Sequence, residues 1–149
     1  MPARPLSLRA RALKALARRE HSRQELQAKL QPFAEDPDEL VPLLDDLEKR
    51  GWLSEARFVE QLTTVRRGRF GVARILHELR EKGVSEAALA AAQSQLKDSE
   101  VEAARAVWKK KFASLPTTLA ERAKQSRFLA GRGFSAEVVH AVLKKSCED

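Results

Sequence analysis

Apolar residues recur at helical intervals along almost the whole chain. Leu40, Leu43, Leu44 and Leu47 follow the i, i+3, i+4, i+7 spacing that lines one helix face, as do Val72, Ile75, Leu76 and Leu79. Val138, Val139, Val142 and Leu143 repeat the pairing near the C-terminus. Few stretches alternate apolar and polar residues as a half-buried strand would. The pattern predicts nine helices, near 6–20, 22–31, 37–50, 54–68, 71–82, 85–97, 99–114, 118–132 and 135–146. Polar residues mark their starts. Ser22 with Glu25, Ser99 with Glu102, and Thr118 with Glu121 have capping-box spacing, in which a hydroxyl accepts from the third helical N–H and a carboxylate reaches back. Asp36-Pro37-Asp38-Glu39 supplies an N-cap followed by a first-turn proline, and Ser54, Ser85 and Ser135 stand before acidic first turns.

Helix ends share one form. Leu47-Glu48-Lys49-Arg50-Gly51, Leu79-Arg80-Glu81-Lys82-Gly83 and Leu129-Ala130-Gly131-Arg132-Gly133 each run from a core leucine through a base to a glycine suited to the left-handed C′ position. An apolar residue follows, Trp52, Val84 or Phe134, where a Schellman motif makes its hydrophobic contact. Leu30, Leu79 and Leu129 close the second helix of successive triplets, roughly 50 residues apart. The first triplet lacks the glycine and has Phe33 with Asp36-Pro37 instead. The chain is therefore expected to be all-α, an elongated tandem array of three three-helix repeats covering 1–53, 54–98 and 99–149.

Composition supports helices around a core built mostly of Leu, Val and Ala: aromatics are 5% of the 149 residues, with no Tyr, and charged residues 33%. Cys147 is the single cysteine, so no intramolecular disulfide can form and a reducing compartment is expected. No apolar run is long enough to span a bilayer, and the Arg-rich N-terminus lacks the apolar core of a signal peptide, which points to a cytoplasmic protein. The net charge of +7 is unevenly spread. Arg4 to Arg23 carries seven bases and one acid; Glu35 to Glu48 seven acids and no base; Arg105 to Arg132 eight bases and one acid. Such alternation fits separate charged faces and a polyanionic partner.

Catalytic chemistry is not legible. His21, His77 and His140 have no ligand cluster at metal spacing, and Arg67-Gly68-Arg69-Phe70-Gly71 lacks the Lys-Ser/Thr of a phosphate loop. No catalytic residue, metal site or cofactor is expected. The basic residues remain. Arg66, Arg67, Arg69, Arg74, Arg80 and Lys82 flank the junction of the fourth and fifth helices, and Lys109, Lys110, Lys111, Arg127 and Arg132 form a second group. Guanidinium pairs with phosphate or carboxylate, so both groups suit DNA or an acidic protein surface. Gly68 and Gly71 are either a plain helix connection or a loop that lets the backbone approach a partner closely.

The stretch Arg66-Arg67-Gly68-Arg69-Phe70-Gly71-Val72-Ala73-Arg74-Ile75-Leu76-His77-Glu78-Leu79-Arg80-Glu81-Lys82-Gly83-Val84 resembles the central signature of the RecX family. Leu53-Ser54-Glu55-Ala56-Arg57-Phe58, Arg127-Phe128-Leu129-Ala130-Gly131-Arg132-Gly133-Phe134-Ser135, and Ser22-Arg23-Gln24-Glu25-Leu26 with Lys29-Leu30 agree in order, so the resemblance covers nearly the whole chain. Glu55 and Val59 depart from the common Asp and Ala, and Gln61 to Val65 lacks the frequent aromatic. The resemblance implies a non-enzymatic, monomeric regulator lodged in the groove of the RecA–single-stranded DNA filament, mainly inhibiting recombinase, ATPase and coprotease activities. It also implies weak binding to free single- and double-stranded DNA and no membrane partner. The eleven bases named above would be the filament-binding residues. A winged-helix transcriptional regulator is the rival reading, since Ser22 to Phe58, with Leu43 to Leu53 as its later helix and turn, has that outline; the acids Asp38, Glu39, Asp45, Asp46 and Glu48 on its would-be recognition helix argue against it.

Overall fold

The structure, a computed structural model, describes residues 5–144. Among these residues the regular structure is helical throughout: α1 Leu8–Arg18, α2 Arg23–Leu30, α3 Leu40–Lys49, α4 Glu55–Arg67, α5 Val72–Glu81, α6 Glu86–Lys97, α7 Glu100–Lys111, α8 Leu119–Gly131 and α9 Ala136–Leu143, with 3-10 turns at Gln31–Phe33 and Pro37–Glu39. The nine expected helices are present with trimmed ends. The third begins later than its Asp36-Pro37 start, because Asp36 caps only the short 3-10 turn and the α-helix opens at Leu40. The seventh stops at Lys111 because Phe112 turns extended (φ −120°, ψ 142°) and sets its ring edge-on against Phe128, centroids 5.4 Å apart. The expected extension of the ninth to residue 146, and Cys147, lie outside the described residues.

Local chemistry sets the ends. Ser22 and Thr118 form complete capping boxes with Glu25 and Glu121. Ser54, Ser85 and Ser135 accept from the amides of Arg57, Ala88 and Val138. Ser99 departs from its expected box: its hydroxyl accepts from the Arg67 guanidinium and caps no amide. Gly51, Gly83 and Gly133 are the left-handed residues (φ 77°, 83° and 96°), and each closes a Schellman motif. In these the amides of Trp52, Val84 and Phe134 donate to the carbonyls of Leu47, Leu79 and Leu129 at 2.9, 3.1 and 3.2 Å. Val84 and Phe134 are buried as expected. Trp52 is instead 42% exposed, and Leu53, one residue on, makes the core contact.

Each triplet has its own core. Ala12, Ala15, Leu26, Leu30, Leu40, Leu44, Leu47 and Leu53 form the first. Phe58, Ile75, Leu76, Leu79, Val84, Leu89, Ala92 and Leu96 form the second. Ala104, Val107, Trp108, Leu129, Phe134, Val138, Val139, Val142 and Leu143 form the third. Extensive helix–helix packing occurs only inside a triplet. The accessible surface is 9930 Å², against about 7,600 Å² for a compact monomer of this mass. The molecule is an all-α tandem array of three-helix repeats. The winged-helix reading of the first repeat fails: no strand exists among the described residues, because the Gly51 turn passes directly to the Ser54 cap and leaves no room for a hairpin wing.

Candidate functional site

The eleven expected cations divide into two kinds, those engaged inside the molecule and those facing out. Arg66, in the last turn of α4, reaches Glu78 on α5 with two parallel bonds, Nε to Oε1 at 2.8 Å and Nη2 to Oε2 at 2.9 Å. The Arg66 hydrogen bond holds the Glu78 carboxyl below its ordinary range and raises the guanidinium. Arg67 donates to the Leu96 carbonyl and the Ser99 hydroxyl, tying α4 to the start of α7. Arg74 donates to the Gly131 carbonyl at 3.2 Å and lies 4.1 Å above the Phe70 ring. Arg132 reaches the Arg69 carbonyl and sits over the rings of Phe70 and Phe128 at 5.5 and 5.1 Å. Lys82 pairs with Glu25 of the first repeat at 3.3 Å.

Apart from Arg66, which braces α4 against α5 inside the second repeat, these engaged cations lie at the two junctions. Between repeats two and three the contact is largely backbone. The Gly71 amide donates to the Arg132 carbonyl at 2.7 Å. A Cβ on Gly71 would lie 2.5 Å from the carbonyl carbon and oxygen of Gly133, so glycine is required there by space. The close approach foreseen at this loop is thus made within the chain. Gly68 has nothing near it and is a simple connection.

Between repeats one and two the contact is polar. Arg57 of α4 pairs with Glu20 at 2.8 Å and donates to the Gly51 carbonyl at 2.6 Å. The Glu20 amide donates to the Gln61 side chain at 2.9 Å, and Gln24 donates to the Glu81 carbonyl at 2.8 Å. Burial alone would raise the Glu25 carboxyl, but hydrogen bonds from Arg19, the Ser22 amide and Lys82 bring it down to about 2. Glu20, Gln24 and Gln61 were not legible as junction residues, since their partners lie 37 to 57 positions away.

Arg69, Arg80, Lys109, Lys110, Lys111 and Arg127 face solvent and have no ion pair among the described residues. Lys109 to Lys111 end α7, where cations suit the helix dipole. Arg80 stands on the wall of a cleft of about 630 Å³ between repeats two and three, whose floor includes Leu76, Val101 and Val138. Lys97 and Glu137 also line it. Among the described residues no group of His, Cys, Asp or Glu is placed to hold a metal, and no helix is long and apolar enough to cross a membrane. The outward cations thus form a charged surface carried on braced junctions.

Comparison with known proteins agrees with this architecture. Residues 54–92 match the family model for the second three-helix domain of RecX, and residues 98–143 that for the third. The chain is 48% identical to the Regulatory protein RecX of Ralstonia nicotianae over 97% of its length and 91% of the relative's. It is 50% identical to that of Leptothrix cholodnii over 93% and 88%. The Chromobacterium violaceum protein of the same name is 43% identical over 100% and 97%. The crystal structure of RecX from Lactobacillus salivarius shares the fold at 18% identity, with a TM-score of 0.77 and 91% of each chain covered. With matches of this extent and in this order of domains, the chain belongs to the RecX family.

Proposed function

We propose that this protein is a non-enzymatic regulator that docks in the groove of the RecA–single-stranded DNA filament and inhibits RecA's recombinase, ATPase and coprotease activities. The observation that carries the reading is the near-full-length match to relatives named Regulatory protein RecX, one of them 48% identical. Geometry supports it: outward cations distributed over an extended row of repeats suit a long polyanionic groove better than a small-molecule pocket. In this reading Arg69, Arg80, Lys109, Lys110, Lys111 and Arg127 contact DNA phosphate or acidic groups of RecA. Arg67, Arg74, Lys82 and Arg132 act mainly by fixing the angles between repeats, and Arg66 by bracing α4 against α5 within the second repeat.

RecA ATPase on single-stranded DNA, with this protein titrated to equimolar, tests the reading. Inhibition is expected, weakened by Arg80→Glu with Lys110→Glu and relieved by added salt. An unchanged ATPase across the titration would sink it.

A further inference from the structure

The bases of the first repeat sort by face. Arg9 pairs with Asp46 at 2.7 Å, Arg19 with Glu25 at 3.1 Å, and Arg23 with both Asp45 and Glu48. Arg11, Lys14, Arg18 and Lys29 have no ion pair among the described residues, and all four line one hollow of about 220 Å³ together with Leu6 and Phe33. Arg11, Lys14 and Arg18 stand at i, i+3 and i+7 on α1, so they form one stripe, and Lys29 joins it from α2. No acid lines the hollow. The acids of α3 neutralise the other side of the repeat and leave this concentration of like charge without an internal counterpart.

An aromatic sits in its midst. Phe33 is 51% exposed, and the Arg11 guanidinium lies 3.6 Å from its ring centroid. The Arg11 Nε is buried without a hydrogen-bond partner. Phe33 is fixed by a 3-10 turn that contains Pro32 and closes with the Ala34 amide on the Gln31 carbonyl at 3.2 Å. In the sister repeats the third residue after the second helix, Val84 or Phe134, is buried at 6% and 4%. Here the turn sends the aromatic outward and Ala34 packs on the core in its stead. The first repeat thus diverges from the other two at the point where it displays a ring among unpaired cations.

We propose that this face of the first repeat binds single-stranded nucleic acid, with phosphates on Lys14, Arg18 and Lys29 and one base stacked on the Phe33–Arg11 platform. Cations that track a backbone beside an exposed aromatic are the recognition chemistry of single strands. A duplex keeps its bases stacked and cannot use the ring. An acidic peptide would satisfy the charge and leave the ring idle. Leu6 and Phe33 are too small an apolar face to seat the helix in a bilayer.

The test is fluorescence anisotropy of a labelled oligodeoxythymidine with the full chain and no RecA, so its outcome is separate from that of the ATPase titration. The wild type should bind it more tightly than a duplex of equal length. Lys14→Glu should weaken binding about tenfold and flatten the salt dependence, by roughly 0.7 in the log–log slope for the lost phosphate contact. Phe33→Leu, with helicity by circular dichroism unchanged, should weaken binding about tenfold and leave that slope alone. Lys49→Glu makes the same charge change on α3, away from the hollow, and should shift affinity less than threefold. Equal losses from Lys14→Glu and Lys49→Glu, no effect of Phe33→Leu, equal affinity for duplex, or binding to phosphatidylglycerol vesicles in preference to the oligonucleotide would each overturn the proposal.

Discussion

The glycines at the second junction show how one missing methyl group sets a contact between repeats. Gly71 has an ordinary φ of −85°, so its requirement is steric alone. An added Cβ would strike the Gly133 carbonyl and the Phe134 ring, 2.5 and 2.7 Å away. Gly68, three residues earlier, has φ −75° and open space around it. Gly71→Ala should therefore cost about 2 kcal/mol or more, by forcing the junction apart. Gly68→Ala should be neutral or stabilise by a few tenths of a kcal/mol, since it removes freedom from the unfolded chain. Thermal unfolding of both variants checks the contrast. The Gly71 amide, bonded to Arg132 at 2.7 Å in the wild type, should exchange faster in the variant in which alanine replaces Gly71. Equal melting temperatures for the two would refute the steric account.

At the scale of the helix, most of the fold was legible because its signals are local. Leucine spacing, serine caps and the three Schellman glycines act within six residues of chain, so periodicity finds them. Three features escaped for physical reasons that can be named. Ser99 has a capping sequence, but the Arg67 guanidinium, 32 residues away, takes its hydroxyl. Trp52 occupies the Schellman contact position, but Leu53 fills the core more closely. Glu55 has the look of a first-turn acid, yet it reaches across the second repeat to accept from the Ser85 amide and hydroxyl, both at 2.9 Å. The basic residues carried the same ambiguity. Sequence marks Arg66 and Arg69 alike, and only the position of Glu78 on the neighbouring helix makes one a brace and leaves the other exposed. Ser22 and Ser99 make the distinction measurable. Ser22→Ala removes a complete capping box and should lower stability by about 1 kcal/mol, with fraying seen at the start of α2. Ser99→Ala should leave the start of α7 unchanged and affect only the Arg67 contact, which backbone amide shifts at Glu100–Glu102 against those at Leu96 would separate.

For the whole molecule, three cores without a shared residue mean that the relative placement of the repeats rests on two thin junctions of different physics. The second is held by a backbone hydrogen bond and glycine packing, which salt does not screen, with guanidinium contacts from Arg74 and Arg132 to backbone carbonyls rather than to carboxylates. The first relies on ion pairs: Arg57 with Glu20, and Lys82 with Glu25, where the cations are 48% and 39% exposed. Exposed pairs weaken within a screening length of roughly 3 Å at 1 M salt, against about 8 Å near physiological strength. Raising sodium chloride from 0.1 to 1 M should therefore loosen the first junction selectively. In a two-dimensional NMR titration the Glu20 amide and the Gln61 side-chain amide should shift, while the Gly71 and Arg132 amides stay in place. Acid should do the same by another route. Glu25 is held down to about 2 in the folded chain and returns to the usual carboxylate range when unfolded. Its stabilisation is then complete above about pH 4.5 and is lost as pH falls toward 2. Glu25→Gln should abolish the Glu25-dependent part of that acid transition and leave the salt response of the Arg57–Glu20 pair intact. Parallel movement of both junctions under salt would show instead that the repeats are coupled through something other than these charges.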